Sequence, residues 1–253
     1  MDFKNQVAVV TGGADGIGLA AAQKFKDLGA TVVIADIDAA KVQAQAGAFG
    51  FEGVVCDVTS ADDIAHLATT AKSLGEVGCV MANAGVAVGG RFEVIPSEEW
   101  QRLFDVNVHG VVRTINAFLP DLLQRGSGRI VVTGSSAGLF FSDGFNVPYA
   151  ASKHALRALA QGLQSYCVDA GVAIHYLAPR ITDTAFPRSS VAWGKRGRRI
   201  TEDRDIGRDF DTVDSVVDAL IAGIVQQKFT ISLTADTEQR MHEEVSNLVS
   251  HSC

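Results

Sequence analysis

The chain has 253 residues, 47% of them hydrophobic and 20% charged, which is enough to bury a large core within one α/β domain. Its formal net charge of −7 argues against general binding to nucleic acid or anionic membranes, because phosphate binding relies on clustered Lys and Arg. No stretch approaches the roughly 18 apolar residues needed to span a bilayer, and no secretion leader precedes the first apolar run. We therefore expect one domain over residues 1–253, a cytoplasmic location and a small-molecule substrate, with no nucleic-acid or membrane partner.

Short, nearly continuously apolar runs alternate with helical patterns along the whole chain. Such runs are typical of parallel strands that are covered on both sides. The pattern predicts a doubly wound, Rossmann-type α/β domain with a sheet of about seven parallel strands and helices on both faces. The expected strands are Val7–Thr11, Thr31–Ala35, Gly53–Asp57, Cys79–Ala82, Arg129–Thr133, Val172–Leu177 and Phe229–Leu233.

Helices are expected between these strands, and two of them begin at favourable N-cap residues, Ser60 and Ser97. One compositional break, residues 185–210, is rich in Arg and Lys and interrupted by Pro and Gly, so we expect a substrate lid there. The helical patterns cover Gly16–Leu28, Ala39–Ala48, Ala61–Leu74, Glu98–Gln124, Tyr149–Ala170, Thr212–Gln227 and Thr237–Leu248.

A glycine-rich segment, Thr11-Gly12-Gly13-Ala14-Asp15-Gly16-Ile17-Gly18, links the first expected strand to the first helix. Glycines let the backbone approach a pyrophosphate, whose charge is stabilised by free N–H groups and the helix dipole. The position directly after a strand and before a helix favours a dinucleotide site over an ordinary turn.

Asp36 ends the second strand, about twenty residues beyond the glycine segment, where a carboxylate can bind the adenosine ribose hydroxyls. A 2′-phosphate there would meet like charge, and Asp15 adds a second negative charge. Asp36 can also be read as a cap of the next helix, but Asp38 serves that purpose equally well. The sequence therefore favours NAD over NADP.

Tyr149 and Lys153 lie four residues apart at the start of a long helix, on one helical face. A cation about 4 Å from a phenol lowers the phenol pKa of about 10 by roughly three units, and the positive nicotinamide of NAD⁺ would lower it further. Tyr149 is therefore expected to act as a general base. Ser136, thirteen residues upstream and just after a buried strand, is expected to hold the substrate oxygen beside it.

Asn107 lies on an apolar helical stripe, where its amide must be hydrogen-bonded. It either holds a helix kink with water or anchors a proton path behind Lys153. The four cysteines and six histidines are scattered without metal-ligand spacing, so no metal site is expected.

Taken together, these residues resemble the short-chain dehydrogenase/reductase family over nearly the whole chain. The segments that carry the resemblance are Thr11–Gly18, Asp57-Val58, Asn83-Ala84-Gly85, Asn107, Ser136, Tyr149 with Lys153, and Pro179 with Thr184. The resemblance implies that Tyr149 is the acid/base, Ser136 the orienter, Lys153 the ribose clamp and Asn107 a relay. It also implies that Asp57 and Val58 flank the adenine, that Asn83 shapes the nicotinamide side, and that Thr182 and Thr184 contact the carboxamide or pyrophosphate. The expected cofactor-binding residues are Gly12, Asp15, Gly16, Ile17, Gly18, Asp36, Ile37, Asp57, Val58, Asn83, Ala84, Gly85, Tyr149, Lys153, Pro179, Thr182 and Thr184.

Two departures from the family pattern stand out. Pro179 is followed by Arg180 instead of glycine, which is read either as a solvated loop residue or as a ligand for a substrate carboxylate or cofactor phosphate. The C-terminus lacks the glycine-rich ending common in tetrameric members, so the expected homo-oligomer is either a dimer or a tetramer.

Aromatic side chains near the expected cleft suggest an apolar, cyclic or aryl substrate, although the same residues can serve only to pack loops. They are Phe140, Phe141, Phe145, Phe186 and Trp193. A basic cluster is read either as a solvated loop or as a site for an anionic substrate, and it comprises Arg188, Lys195, Arg196, Arg198 and Arg199. The expected reaction is NAD-dependent oxidoreduction of a secondary alcohol or ketone. The alternatives are a non-catalytic NAD-sensing module and a lyase or epimerase.

Overall fold

The structure is a computed structural model that describes residues 3–140, 144–182, 184, 186, 191–193, 199–200, 211–233 and 237. Its main sheet has seven strands, and every neighbouring pair is parallel. These strands are β1 (Gln6–Thr11), β2 (Thr31–Asp36), β3 (Glu52–Val55), β4 (Glu76–Ala82), β6 (Gly128–Thr133), β7 (Val172–Leu177) and β10 (Thr230–Ile231). The predicted doubly wound α/β fold is confirmed.

Helices cover both faces of this sheet. They are α1 (Gly16–Asp27), α2 (Ala39–Phe49), α3 (Ala61–Leu74), α4 (Ser97–Phe104), α5 (Gly110–Arg125), α6 (Val147–Cys167) and α7 (Val213–Val225). Alternate residues of β1 face opposite sides: Val10 shares a buried cluster with Phe25 of α1, and Val9 shares another with Leu67 of α3. This two-sided burial explains why the strand sequences are continuously apolar. None of the helices in the described residues is long and apolar enough to cross a membrane.

The strand order places the site. From β1 the chain moves outward through β2 to β3, and it then returns to β4 on the other side of β1, giving the order β10-β7-β6-β4-β1-β2-β3. The connections that leave the C-terminal ends of β1 and β4 therefore diverge, and a crevice opens between them. The glycine segment follows β1 and Asn83 follows β4, so both border this crevice.

The predicted helix 98–124 is wrong as one regular element. The structure divides it into α4, a π-helical turn over Asp105–His109, and α5. Asn107 lies in this π turn. A π turn inside a helix widens the backbone locally and changes the direction of the side chains that it carries. Ser60 caps α3 as predicted, whereas α4 begins at Ser97 itself with Pro96 as its N-cap.

A second, three-stranded sheet was not predicted. It consists of β5 (Val88–Gly90), β8 (Val191–Trp193) and β9 (Arg199–Ile200), in that order. β8 and β9 come from the expected lid, residues 185–210, of which much lies outside the described residues. β8 and β5 share a small apolar cluster with Leu103 of α4, so this part of the segment packs beside the main domain.

Gly138 sets how closely the turn after β6 approaches α6. A Cβ placed on Gly138 would lie 2.5 Å from the carbonyl oxygen of Lys153, against backbone that has no room to move. We expect Gly138→Ala to lower the free energy of unfolding by about 1–3 kcal/mol, as overpacking does. Gly47→Ala, in α2 with nothing within 4 Å of the added methyl, is the control and should stabilise the protein by up to about 1 kcal/mol. Urea unfolding measures both changes. Equal effects would contradict this account of Gly138.

Candidate active site

The glycine segment has the shape that a pyrophosphate requires. Gly12 and Gly16 have φ of +62° and +53°, a region that side chains disfavour. A Cβ on Gly12 would lie 2.9 Å from Ala84 Cα, and one on Gly16 would lie 3.1 Å from Thr184 Cγ2. A side chain at either position would meet these neighbours, so glycine allows the loop to pack closely directly before the first turn of α1, whose N–H groups lack acceptors within the helix. These residues fit a dinucleotide.

Asn83 holds this loop in place. Its Nδ2 group donates to the carbonyl oxygens of Thr11 and Gly12, both at 3.1 Å, and its backbone N–H donates to Thr11 Oγ1 at 3.0 Å. The amide N–H groups of Asn83 are therefore directed at the glycine loop, and the neighbouring Ala84 and Gly85 continue along the crevice. The structure shows Asn83 as a support of the loop, a role that the sequence reading did not include.

Asp36 lies beside the glycine loop, as expected for a ribose-binding carboxylate. Its Oδ2 accepts from the N–H of Ala14 at 3.3 Å, and its Oδ1 accepts from the N–H of Asp38 at 3.2 Å. Asp38, rather than Asp36, caps α2 through the N–H of Lys41. Ile37 leaves 67% of its surface exposed next to Asp36, which suits the flat face of an adenine. Because Asp38 is the N-cap of α2, Asp36 is not needed for that purpose and its carboxylate is left for the ribose.

The negative charge that Asp15 brings to the glycine loop has two partners in the structure. Its Oδ1 accepts from the N–H of Gly16, so Asp15 is the N-cap of α1, while its Oδ2 lies 2.6 Å from Lys41 Nζ. Lys41 was not singled out in the sequence, because a lysine five residues past a strand end carries no pattern of its own. The structure brings this cation to the glycine loop.

Asp57 and Val58 are anchored to helices. Asp57 Oδ1 accepts from the N–H and hydroxyl of Thr59, and the Asp57 N–H donates to Asp63 in the first turn of α3. The Val58 side chain is buried against Gly110, where an added Cβ would lie 2.7 Å from Val58 Cγ2. Val58 therefore offers the crevice its backbone rather than its side chain.

Lys153 is almost completely buried, with 3% of its surface exposed. Its Nζ donates to the carbonyl oxygen of Thr133, at the end of β6, at 3.0 Å, and lies 5.5 Å from the ring centroid of Tyr149. Burial lowers the pKa of Lys153 to about 8. The ammonium is thus held between the sheet and the phenol, as the four-residue spacing predicted.

The expected lowering of the Tyr149 pKa by Lys153 is not seen in the polypeptide alone. Burial raises the pKa of Tyr149 to about 12, and a side-chain hydrogen bond with Ser135 offsets only part of that effect. Lys153 lies over the ring face and is engaged by Thr133, so desolvation of the phenolate outweighs its attraction. The polypeptide alone keeps Tyr149 protonated.

The serine side chain that contacts Tyr149 is that of Ser135, the neighbour of the predicted Ser136. Ser135 is in extended backbone (φ −171°, ψ 159°), is 8% exposed, and caps the short 3₁₀ helix Ser136–Gly138 through the N–H of Ala137. Its side chain also makes the hydrogen bond with Tyr149. Ser136 begins the 3₁₀ turn, and its N–H donates to the Pro179 carbonyl. The spacing of thirteen residues indicated Ser136, and the signal that could have found Ser135 is its place next to Ser136 in the sequence.

Asn107 is fully buried and ties three elements together. Its Nδ2 group donates to the Val86 carbonyl at 2.9 Å and to Ser152 Oγ at 3.1 Å, and its Oδ1 accepts from the Val86 N–H at 2.8 Å. A Cβ on Gly85 would lie 3.2 Å from Asn107 Oδ1 and 3.7 Å from Lys153 Nζ. Protein groups therefore satisfy the amide at the helix break, directly beside Lys153.

The segment after β7 closes the same end of the crevice. Thr182 is buried and its hydroxyl donates to the Arg180 carbonyl, whereas Thr184 faces Gly16 across the glycine loop. Arg180 is neither a freely solvated residue nor an unpaired cation, because its guanidinium lies 3.0 Å from the carboxylate of Asp211. The backbone of Asp211 also forms an isolated β-bridge with that of Thr182. The ion pair and the β-bridge together join the two ends of the inserted segment.

The aromatic residues divide between packing and the site. Phe140 is buried in the core under α6, and Trp193 packs in the small cluster beside α4. The Phe186 ring lies 6.1 Å from the Tyr149 ring, centroid to centroid. Phe141 and the basic residues, apart from the backbone of Arg199 in β9, lie outside the described residues. Within the described residues, no three His, Cys, Asp or Glu side chains form a group that could hold a metal ion.

The chain is similar to known proteins of one family. The short chain dehydrogenase family model matches residues 6–195. The 1-deoxy-11-beta-hydroxypentalenate dehydrogenase of Streptomyces exfoliatus is 30% identical over 260 residues, which cover 99% of this chain and 91% of that protein.

Two solved structures superpose over almost the full chain. One, a short chain dehydrogenase/reductase from Burkholderia phymatum in complex with NAD, has a TM-score of 0.85 and 26% identity over 98% of this chain and 96% of its own. The other, a short-chain dehydrogenase from Sphingobium yanoikuyae in complex with NADPH, has a TM-score of 0.80 and 25% identity over 97% and 95%. Because the family model matches most of the chain, the protein belongs to the short-chain dehydrogenase/reductase family.

Proposed function

We propose that the protein is an NAD-dependent oxidoreductase that interconverts a secondary alcohol and a ketone on a small apolar substrate. The observation that carries this proposal is that Tyr149, Lys153 and Ser135 meet at the sheet edge that also carries the glycine loop. A bound nicotinamide coenzyme would supply the acceptor or donor of the hydride. The chain itself then has to hold the substrate oxygen and move its proton.

Each of the three side chains has a part in that transfer. In the oxidation direction, Tyr149 Oη takes the proton of the substrate hydroxyl, and in reduction it returns a proton to the carbonyl oxygen. Ser135, which already contacts Tyr149, donates a hydrogen bond to the same substrate oxygen and orients it. Lys153 stabilises the phenolate and binds the nicotinamide ribose. Asn107 is a positioning residue that fixes Ser152, and with it the start of α6, beside Lys153.

We favour NAD over NADP because Asp36 is positioned beside the glycine loop with a carboxylate that suits two ribose hydroxyls and disfavours a 2′-phosphate. Ile37, next to it, offers an exposed apolar surface for the adenine. Gly12, Gly16 and Thr184 surround the space that we assign to the pyrophosphate. One similar structure holds NAD and another holds NADPH, so the preference rests on Asp36.

An apolar substrate is supported by the ring of Phe186 beside Tyr149. The name of the Streptomyces exfoliatus relative, a hydroxypentalenate dehydrogenase, also fits oxidation of a hydroxyl group on a carbon framework. We propose that residues 185–210 cover this substrate. The segment enters and leaves beside the paired Arg180 and Asp211, at the same end of the crevice.

We also propose a cytoplasmic location and a homo-oligomeric state. Cys56, Cys79 and Cys167 are free and buried, which fits a reducing compartment such as the cytoplasm. Tyr166 and Val168, at the end of α6, leave 70% and 63% of their surface exposed, which fits burial of this region in a homo-oligomer.

Tyr149→Phe tests the proposed reaction. The wild-type protein is incubated with NAD⁺ or NADP⁺ and a panel of cyclic, aryl and aliphatic secondary alcohols, and reduction of the nicotinamide is followed by absorbance. We expect turnover with NAD⁺ that falls at least about 100-fold in the variant, because the proton acceptor is lost. NADH should still raise the melting temperature of the variant. Undiminished turnover in Tyr149→Phe would contradict the mechanism, and coenzyme binding without turnover of any alcohol would favour a sensing or lyase function.

Ser135→Ala and Ser136→Ala form a matched pair that distinguishes the two serines. We expect kcat to fall roughly 100-fold or more in Ser135→Ala, since a donor to the reacting oxygen is removed. Ser136→Ala should retain kcat within about threefold, because in our proposal the substrate oxygen is bound by Ser135. Thermal unfolding of both variants controls for loss of the Ser135 cap, which is worth about 1 kcal/mol. The reverse order of the two kcat values would restore Ser136 as the orienting residue.

A further inference from the structure

Asp15 and Lys41 form an ion pair at the adenosine end of the proposed cofactor crevice. Lys41 Nζ lies 2.6 Å from Asp15 Oδ2, so the pair joins the glycine loop to the first turn of α2. Each side chain keeps 47% of its surface exposed. Exposed pairs of this kind contribute little to folding stability. Because the Asp15–Lys41 pair lies beside the crevice, it is a candidate contributor to coenzyme binding.

Lys41 is a single cation among three carboxylates. Asp15 raises the pKa of Lys41 most strongly, through a hydrogen bond, and Asp38 and Asp36 raise it further by their charge. Asp36 accepts from the N–H of Ala14, the residue that precedes Asp15. Lys41 thus lies close to the carboxylate that we assign to the adenosine ribose, although its charge is directed at Asp15.

We propose that Asp15 withholds Lys41 from a ribose 2′-phosphate, so that this ion pair is a second determinant of coenzyme choice beside Asp36. NADP differs from NAD by a phosphate on the hydroxyl that Asp36 would bind, and such a phosphate needs a nearby cation. Lys41 is tied to Asp15, next to the Ala14 N–H that donates to Asp36, and in this ion pair its charge is neutralised by Asp15. Removing the charge of Asp15 frees Lys41 to pair with the phosphate. The inference rests on the proposed function in one respect, the binding of a nicotinamide dinucleotide.

The variants are chosen to separate charge from structure. Asp15→Asn keeps an oxygen that can accept from the N–H of Gly16, 2.7 Å away, so the start of α1 is preserved. Lys41→Met removes the cation and keeps the length of the side chain, and the double variant combines both changes. Asp121→Asn is the control, because Asp121 and Lys72 form an ion pair of the same length, 2.6 Å, with similar exposure of 50% and 43%, between α5 and α3.

The readout is the dissociation constant of NADH and of NADPH, each measured from the fluorescence of the reduced nicotinamide, at low and high salt. We expect Asp15→Asn to improve binding of NADPH relative to NADH by roughly fivefold or more. Adding Lys41→Met should remove most of that gain, added salt should reduce it, and Asp121→Asn should show none.

Two results would overturn the inference while leaving the proposed function intact. In one, Asp15→Asn binds the two coenzymes in the wild-type ratio. In the other, the double variant keeps the whole gain, which would mean that Asp15 acts by repulsion without Lys41. A wild-type protein that binds neither coenzyme would overturn the proposed function itself, and the inference with it.

Discussion

The arrangement of the site depends on the burial of one ammonium group. A cation removed from water is costly unless it is hydrogen-bonded, and Lys153 meets that requirement by donating to the carbonyl of Thr133 where β6 ends. That bond requires α6 to lie close to the turn after β6, and Gly138 makes the approach possible. The buried hydroxyl of Tyr176 adds a second tie, because it donates to the Lys153 carbonyl at 3.1 Å. Tyr149 and Ser135 come together as a consequence of these contacts between β6, β7 and α6.

The electrostatics of this cluster differ from those of an isolated tyrosine and lysine pair. Burial favours the neutral form of both groups, so it raises the pKa of Tyr149 to about 12 and lowers that of Lys153 to about 8. At neutral pH Tyr149 therefore holds its proton, which suits a proton donor in ketone reduction. Alcohol oxidation requires a further positive charge near the phenol. In our proposal that charge comes with an oxidised nicotinamide, which links proton transfer to the redox state of the coenzyme.

Much of the fold and part of the site could be predicted from the sequence, for identifiable reasons. The strands were predictable because two-sided burial leaves continuously apolar runs, and the glycine loop and the Tyr149 and Lys153 pair were predictable because their spacing is local. The π turn at Asn107 was not, since a widened helical turn keeps the apolar stripe intact. Ser135 was missed because the direction of each serine depends on the extended backbone before the 3₁₀ turn, which spacing does not encode. The pairing of Lys41 with Asp15, and of β8 with β5, joins residues distant in sequence that carry no local pattern.

The central claim is that Tyr149 becomes a base only beside a positively charged nicotinamide, and its ionisation tests that claim most directly. Tyrosinate absorbance is followed between about pH 6 and pH 11 in the free protein, with NAD⁺ and with NADH, and the same titrations of Tyr149→Phe are subtracted. We expect the Tyr149 signal to appear within this range with NAD⁺, and to be absent in the free protein and with NADH, whose nicotinamide ring is neutral. Ionisation at the same pH in all three states would contradict it.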